Sequence, residues 1–154
     1  MHKLLIMLST CFGIGIFRFA PGTLASFFAL LTMVVLPWSI PGQLAAALIF
    51  SLLGIFICDY AEKKIFFMRD PQSVVFDEFT GMYIALANIP FRAEWKIIFL
   101  YFLAFITFRL LDIFKPGIIR EAERFEGGLG IMADDIAAGV FTCLLVNAVR
   151  LFFL

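Results

Sequence analysis

The residues able to do chemistry in this chain fall in three short stretches. "VVFDEFTGM" sets Asp77 beside Glu78 in apolar surroundings. A carboxylate near the centre of a membrane helix costs roughly 2.5–3.5 kcal/mol on insertion scales, so it is kept where it meets a partner, an ion or water. The plainer reading is two acids at a helix start, favoured by the positive end of the dipole. "FRLLDIFKPGIIR" spaces Arg109, Asp112 and Lys115 at i, i+3 and i+6, so neighbours share a helical face before Pro116 stops the helix. That pattern suits a salt-bridged stripe, snorkelling charges at a helix end, or an acid for a metal flanked by cations for phosphate oxygens. "EGGLGIMADDIAAG" follows Gly127, Gly128 and Gly130 with Asp134 and Asp135. The glycines admit close backbone approach to a ligand, and adjacent acids exceed what one helix cap needs. A flexible loop with an Asp cap is the alternative.

Together the stretches are more informative than singly. Asp77, Glu78, Asp112, Asp134 and Asp135 would converge from separate helices, with Arg109, Lys115 and Arg120 or Arg124 beside them. Carboxylates at close range repel, and a divalent cation relieves them. Hard oxygen ligands suit Mg²⁺, which prefers carboxylates plus substrate phosphate, and cations beside a metal suit an anionic ligand. The residues therefore predict metal-dependent phosphate chemistry. Other routes lack parts: there is no GxxxxGK[ST] phosphate loop, and the sole histidine is His2. Cys11, Cys58 and Cys143 lie far apart with no CxxC pair, and read as small buried apolar residues. Attack by metal-activated water needs no extra residue, and an aspartyl-phosphate route stays open.

The elements that position these groups must lie in a membrane. Hydrophobic residues make up 63% of the 154 and charged residues 16%, and 21 are phenylalanine. Soluble domains run at roughly 45–50% and 25%. One domain of this length has too little interior to hide so much apolar surface, so the excess faces lipid. The net charge is zero, and nothing suggests a nucleic-acid partner. A spanning helix takes roughly 17–25 apolar residues. Residues 24–40, 43–58, 74–90, 95–111 and 136–154 are the candidates. The third is odd because it contains Asp77 and Glu78. Residues 4–17 could form a half-helix dipping into the bilayer, an interfacial helix or a tilted span, and their length favours the first two. A basic start and an early Cys11 faintly resemble a lipoprotein signal, but the apolar run is short and the segment is expected to stay. Thr23, in "PGT", is placed to cap the first long helix.

Alternating these spans gives one preferred orientation. Arg18, Lys63, Lys64, Arg69, Lys115, Arg120 and Arg124 fall on one side, which the positive-inside rule makes cytoplasmic. The turn over residues 37–42 then falls outside. Asp77, Glu78, Asp112, Asp134 and Asp135 all gather at the cytoplasmic helix ends. A small ion-coupled transporter using the same acids would instead spread them through the membrane depth. A purely structural subunit would tolerate Asp134→Asn.

"APGTLAS", "FDEFTGM", "FRLLDIFKPGIIR" and "GGLGIMADDIAAG" resemble, in this order, the motifs of the phosphatidylglycerophosphatase A family. The likeness runs from about Phe12 to Gly139. It implies an integral membrane phosphatase of the bacterial inner membrane that requires Mg²⁺ and converts phosphatidylglycerophosphate to phosphatidylglycerol. By position, the acidic motif residues fall on Asp77, Glu78, Asp112, Asp134 and Asp135, the basic pair on Arg109 and Lys115, and the PGT element on Pro21, Gly22 and Thr23. Ala25 stands where the pattern has Gly, and "KPGIIR" replaces a more usual KPxPI. The full expectation is an all-α, multi-pass bundle of about five spans, or four plus re-entrant or interfacial helices, forming one domain over residues 1–154. Asp77, Glu78, Asp134 and Asp135 would bind metal and activate water, Asp112 would ligate or orient, and Thr23, Arg109 and Lys115 would hold phosphate. Related lipid phosphates would present the same head to these groups.

Overall fold

The computed structural model describes residues 2–36, 39–122 and 124–153. Among these, every regular element is helical. α1 (His2–Ser9) ends in a run of left-handed residues, Cys11, Phe12 and Gly13, followed by one 3₁₀ turn at Ile14–Ile16. The Thr10 hydroxyl closes this bend by donating to the Ile6 carbonyl and accepting from the Gly13 amide. The 4–17 segment is therefore two short pieces and not a span.

The bundle is built from α2 (Pro21–Val35), α3 (Ile40–Tyr60), α4 (Phe76–Ala85), α5 (Trp95–Phe114) and α7 (Gly127–Phe153), with α6 (Ile118–Ala122) joining the last two. Among the described residues three helices are long and apolar enough to cross a membrane: Ile40–Phe66, Trp95–Phe114 and Gly127–Phe152. The first is α3 continued by a π-helical turn, Ala61–Phe66. Leu44, Leu48, Leu52 and Phe56 on α3, and Phe102, Ile106 and Leu110 on α5, form exposed stripes at i, i+4 spacing. Such faces are at home in lipid, and the molecule is a multi-pass membrane helical bundle.

Several boundaries differ from those expected. The first helix opens at Pro21, whose fixed φ suits a helix start, so the cap position falls to Ala20. Ala20 makes no side-chain cap bond, and Thr23 lies inside the first turn. α2 has 15 residues, shorter than the roughly 20 a span needs. Pro37 and Trp38, in the expected outside turn, and the terminal Leu154 lie outside the described residues.

The expected third span over 74–90 is the largest correction. α4 has ten residues and is buried on nearly every side between α2, α3, α5 and α7. Its apolarity serves the protein core, not lipid. Phe50 of α3 meets Phe76, Phe79 and Tyr83 of α4 edge to face, with the Tyr83 ring at 5.0 Å. Beyond α4, Leu86, Ala87 and Ile89 are buried while Asn88 is exposed, and the Ile89 carbonyl accepts from Gln43 Nε2 at 3.2 Å and Tyr101 OH at 3.0 Å. Those bonds satisfy a backbone group that lipid could not. The segment still leads from Asp77 and Glu78 at the cavity to Asn88, which bonds Asn147 and Arg150 near the end of α7.

α7 begins at Gly127 rather than Ile136, so the glycine-rich stretch is helical. Gly128 lies against the Ile55 carbonyl and Asp59 of α3, where a Cβ has no room. Its amide donates to Asp59 Oδ1 at 3.2 Å. The glycine there serves helix–helix approach and not a ligand.

Candidate active site

One end of the bundle collects the starts of α2, α4 and α7 and the ends of α3 and α5. Between them lies a polar cavity of about 470 Å³. Thr23, Asp77, Glu78, Arg109, Asp112, Lys115, Asp134 and Asp135 all line it. These eight are thus brought to one place, while Arg120 and Arg124, expected beside them, line a neighbouring cavity.

Each element has a reason to deliver its residue. Asp77 and Glu78 occupy the first turn of α4, where the helix dipole favours negative charge. Asp135 reaches them because α4 and α7 cross on small residues. A Cβ on Gly81 would lie 2.8 Å from the Asp135 carbonyl oxygen, and one on Gly139 would lie 2.5 Å from that of Gly81. Close approach of this kind is the usual basis of helix packing in lipid. One carboxylate oxygen each from Asp77, Glu78 and Asp135 falls in a group whose members are all within 4.8 Å of one another.

Around this trio the charges are ordered by pairs. Arg109 Nη1 holds Asp112 Oδ2 at 2.6 Å one turn along α5, and also donates to Ser26 Oγ at 3.3 Å. Both members of the ion pair are largely buried. Gly22 on α2 leaves the space in which Glu78 Oε1 and the Arg109 guanidinium sit. Lys115 ends α5 in a left-handed conformation, φ 43°, which turns its side chain across to Asp134 on α7. Asp134 Oδ1 also accepts the Asp135 amide at 3.0 Å. The i, i+3 stripe reading therefore holds for Arg109 and Asp112, while Lys115 reaches another helix. Asp134, expected among the metal ligands, lies outside the group of three.

Buried acceptors without partners mark what is missing from the pairings. Asp77 Oδ1, Glu78 Oε2 and Asp135 Oδ1 are buried without a hydrogen-bond partner, as is Arg109 Nε. Each such atom forfeits its hydration, and three carboxylates this close also repel. A divalent cation answers both costs with oxygen ligands of the preferred type. The donors present therefore fit a divalent metal ion at Asp77, Glu78 and Asp135.

The cavity wall also holds Arg18, Asp70 and Gln72. The sequence marked Arg18 only as a topological charge, and nothing in the spacing of "RDPQS" singles out Asp70 or Gln72. Cysteine chemistry has no place here. Cys11 is buried with its thiol toward the Val75 carbonyl, and burial, aided by the charge of Glu78, pushes that thiol well above its ordinary range. Cys58 is buried and Cys143 half-buried, and all three are free thiols.

The fold and the site together define a class: helical membrane proteins that gather carboxylates and cations around one polar cavity at the end of the bundle. The sequence model of Phosphatidylglycerophosphatase A matches residues 7–150, and the chain belongs to that family. It is accordingly a phosphoric monoester hydrolase. It is 36% identical to the phosphatidylglycerophosphatase A of Escherichia coli K12 over 140 residues, covering 88% of this chain and 77% of that one. It is 37% identical to the Haemophilus influenzae protein of the same name, covering 94% and 87%. A Bacteroides thetaiotaomicron protein provisionally named a phosphatidylinositol-3-phosphatase is 33% identical, covering 94% and 92%. No solved structure matches the chain.

Proposed function

We propose that the whole chain, residues 1–154, acts as one membrane-embedded domain that hydrolyses phosphatidylglycerophosphate to phosphatidylglycerol and phosphate, with Mg²⁺ as its cofactor. The observation that carries this reading is the set of three unpartnered carboxylate oxygens, on Asp77, Glu78 and Asp135, in one cavity with Arg109 and Lys115. The names of the Escherichia coli and Haemophilus influenzae relatives support the lipid. The site end of the bundle carries Arg18, Lys63, Lys64, Arg69, Arg120 and Arg124, which supports a site facing the cytoplasm from a bacterial inner membrane.

Asp77, Glu78 and Asp135 would hold the ion, which when bound supplies charge neutralisation and Lewis-acid polarisation to a phosphoryl oxygen. Arg109 offers a planar fork to the phosphate oxygens and Lys115 a point charge. Thr23, in the first turn of α2, donates its hydroxyl to the same group. Asp112 fixes the guanidinium of Arg109, and Asp134 fixes the ammonium of Lys115, so both cations are aimed before substrate arrives. Water adds its oxygen to phosphorus, the bond to the glycerol oxygen breaks, and a proton passes to the departing alcohol. Burial of the carboxylates among α2, α4, α5 and α7 limits stray water and strengthens each charge contact.

A transporter using these acids would need them along the membrane depth, and they sit at one end instead. The Bacteroides relative makes phosphoinositides a second substrate class to assay. The test is phosphate release by the purified, detergent-solubilised chain from phosphatidylglycerophosphate, phosphatidate and phosphatidylinositol 3-phosphate, with Mg²⁺ and with chelator. Chelator-sensitive release, fastest from phosphatidylglycerophosphate, is expected. Absence of such release from every lipid sinks the proposal.

A further inference from the structure

A second polar cavity, of about 530 Å³, opens beside the first. Asp70, Ile131 and Asp134 belong to both walls, so the two form one continuous trough. The second part carries Arg69, from the loop after the π-helical turn, and Arg120 on α6. Neither makes an ion pair among the described residues. Arg124, also in the wall, is paired with Glu121 at 2.6 Å. Glu62 lines the same cavity and keeps Oε2 buried without a hydrogen-bond partner.

These groups are out of place for the hydrolytic step. They add no carboxylate to the trio around Asp77, and Asp134 and Lys115 already neutralise each other between the two cavities. Their chemistry is that of recognition. Guanidinium groups grip phosphate oxygens, and a buried carboxylate oxygen needs a donor such as a hydroxyl. A lipid whose cleaved phosphate is attached directly to diacylglycerol would leave this part of the trough empty. A headgroup with a second, diester phosphate and an intervening hydroxyl would fill it.

We infer that the second cavity is a headgroup-recognition subsite, in which Arg69 and Arg120 bind the diester phosphate and Glu62 accepts from a hydroxyl of the polyol between the two phosphates. The inference rests on the proposed reading that the first cavity hydrolyses the terminal monoester. It makes the enzyme selective by a contact remote from the bond that breaks, so its loss weakens binding more than turnover.

The experiment compares wild type with Arg69→Gln/Arg120→Gln in uncharged detergent micelles with Mg²⁺, which removes any general attraction to an anionic bilayer. For phosphatidylglycerophosphate the apparent KM should rise about tenfold, while kcat holds within about twofold. Selectivity over phosphatidate should fall by a similar factor. The charge-preserving Arg69→Lys/Arg120→Lys should recover part of the KM. Glu62→Ala should raise KM for the natural headgroup and not for its analogue lacking the central hydroxyl. An unchanged KM in the double glutamine variant, or equal loss of kcat/KM on both lipids, overturns the subsite. A wild type that releases phosphate from no lipid overturns the hydrolase reading instead, and the two failures are told apart by that control.

Discussion

Gly81 on α4 and Gly139 on α7 meet backbone to backbone, and a Cβ on Gly139 would lie 2.5 Å from the Gly81 carbonyl oxygen. One turn before Gly139, Asp135 faces Asp77 and Glu78 across that crossing. Gly139→Ala should push α7 off α4 and open the carboxylate group. Overpacking of this kind costs about 1–3 kcal/mol, so the bundle should survive. A displacement of about 1 Å at a reacting centre costs on the order of a hundredfold in rate. Phosphate release and thermal unfolding in detergent should therefore part company, and full activity in Gly139→Ala would contradict the packing argument.

Asp77→Asn and Asp135→Asn each remove one of the mutually repelling buried charges. Without metal, either variant should unfold at a temperature no lower than wild type, because a repulsion is relieved. Mg²⁺ should raise the unfolding temperature of wild type, by mass action, and should do so far less in the variants. Turnover should fall at least about a hundredfold. Equal Mg²⁺ stabilisation of wild type and both variants would remove these residues from the ion's coordination.

Arg109→Lys keeps the charge and loses the fork. Lysine cannot reproduce the bidentate grip nor hold both Asp112 and Ser26. The expected result is a loss of about tenfold or more in kcat/KM with nearly normal insertion into membranes. Asp112→Asn leaves the cation present but less firmly aimed, and should be the milder of the two. The reverse ranking, measured by steady-state kinetics, would recast Asp112 as a group that acts directly.

Lys115 and Asp134 offer a double-mutant cycle. Lys115→Met leaves Asp134 buried without its counter-ion, and breaking a buried pair on one side costs about 3–5 kcal/mol. Lys115→Met/Asp134→Asn removes both charges and should regain most of that stability. It should not regain activity, because the cation for phosphate is still gone. Unfolding in detergent beside phosphate assays separates the two effects, and recovery of activity in the double variant would make the pair purely structural.

The trough and its occupants were legible to very different degrees. Asp77, Glu78, Arg109, Asp112, Lys115, Asp134 and Asp135 stand out because charge is scarce in this chain, and all of them face one cavity. Arg18, Asp70 and Gln72 face it too, yet they lie in loops where no periodicity ties a residue to a direction. The division of labour among the acids was equally hidden. Asp134 and Asp135 are neighbours in sequence, but successive residues on a helix point about 100° apart. One turns to Lys115 and the other to Asp77 and Glu78.

The amino-acid sequence by itself determined that this is a helical membrane protein, that its charges cluster at helix ends, and that those charges suit phosphate chemistry. Composition and spacing carry that much because lipid tolerates few ionised groups and each must have a use. Tertiary structure alone decided that α4 is a buried core helix and not a span, and that Gly128 and Gly139 of α7 serve packing. Hydropathy cannot separate these cases, since a side chain facing lipid and one facing protein are equally apolar. Only the neighbours that α2, α3, α5 and α7 place around Phe76–Ala85 distinguish them.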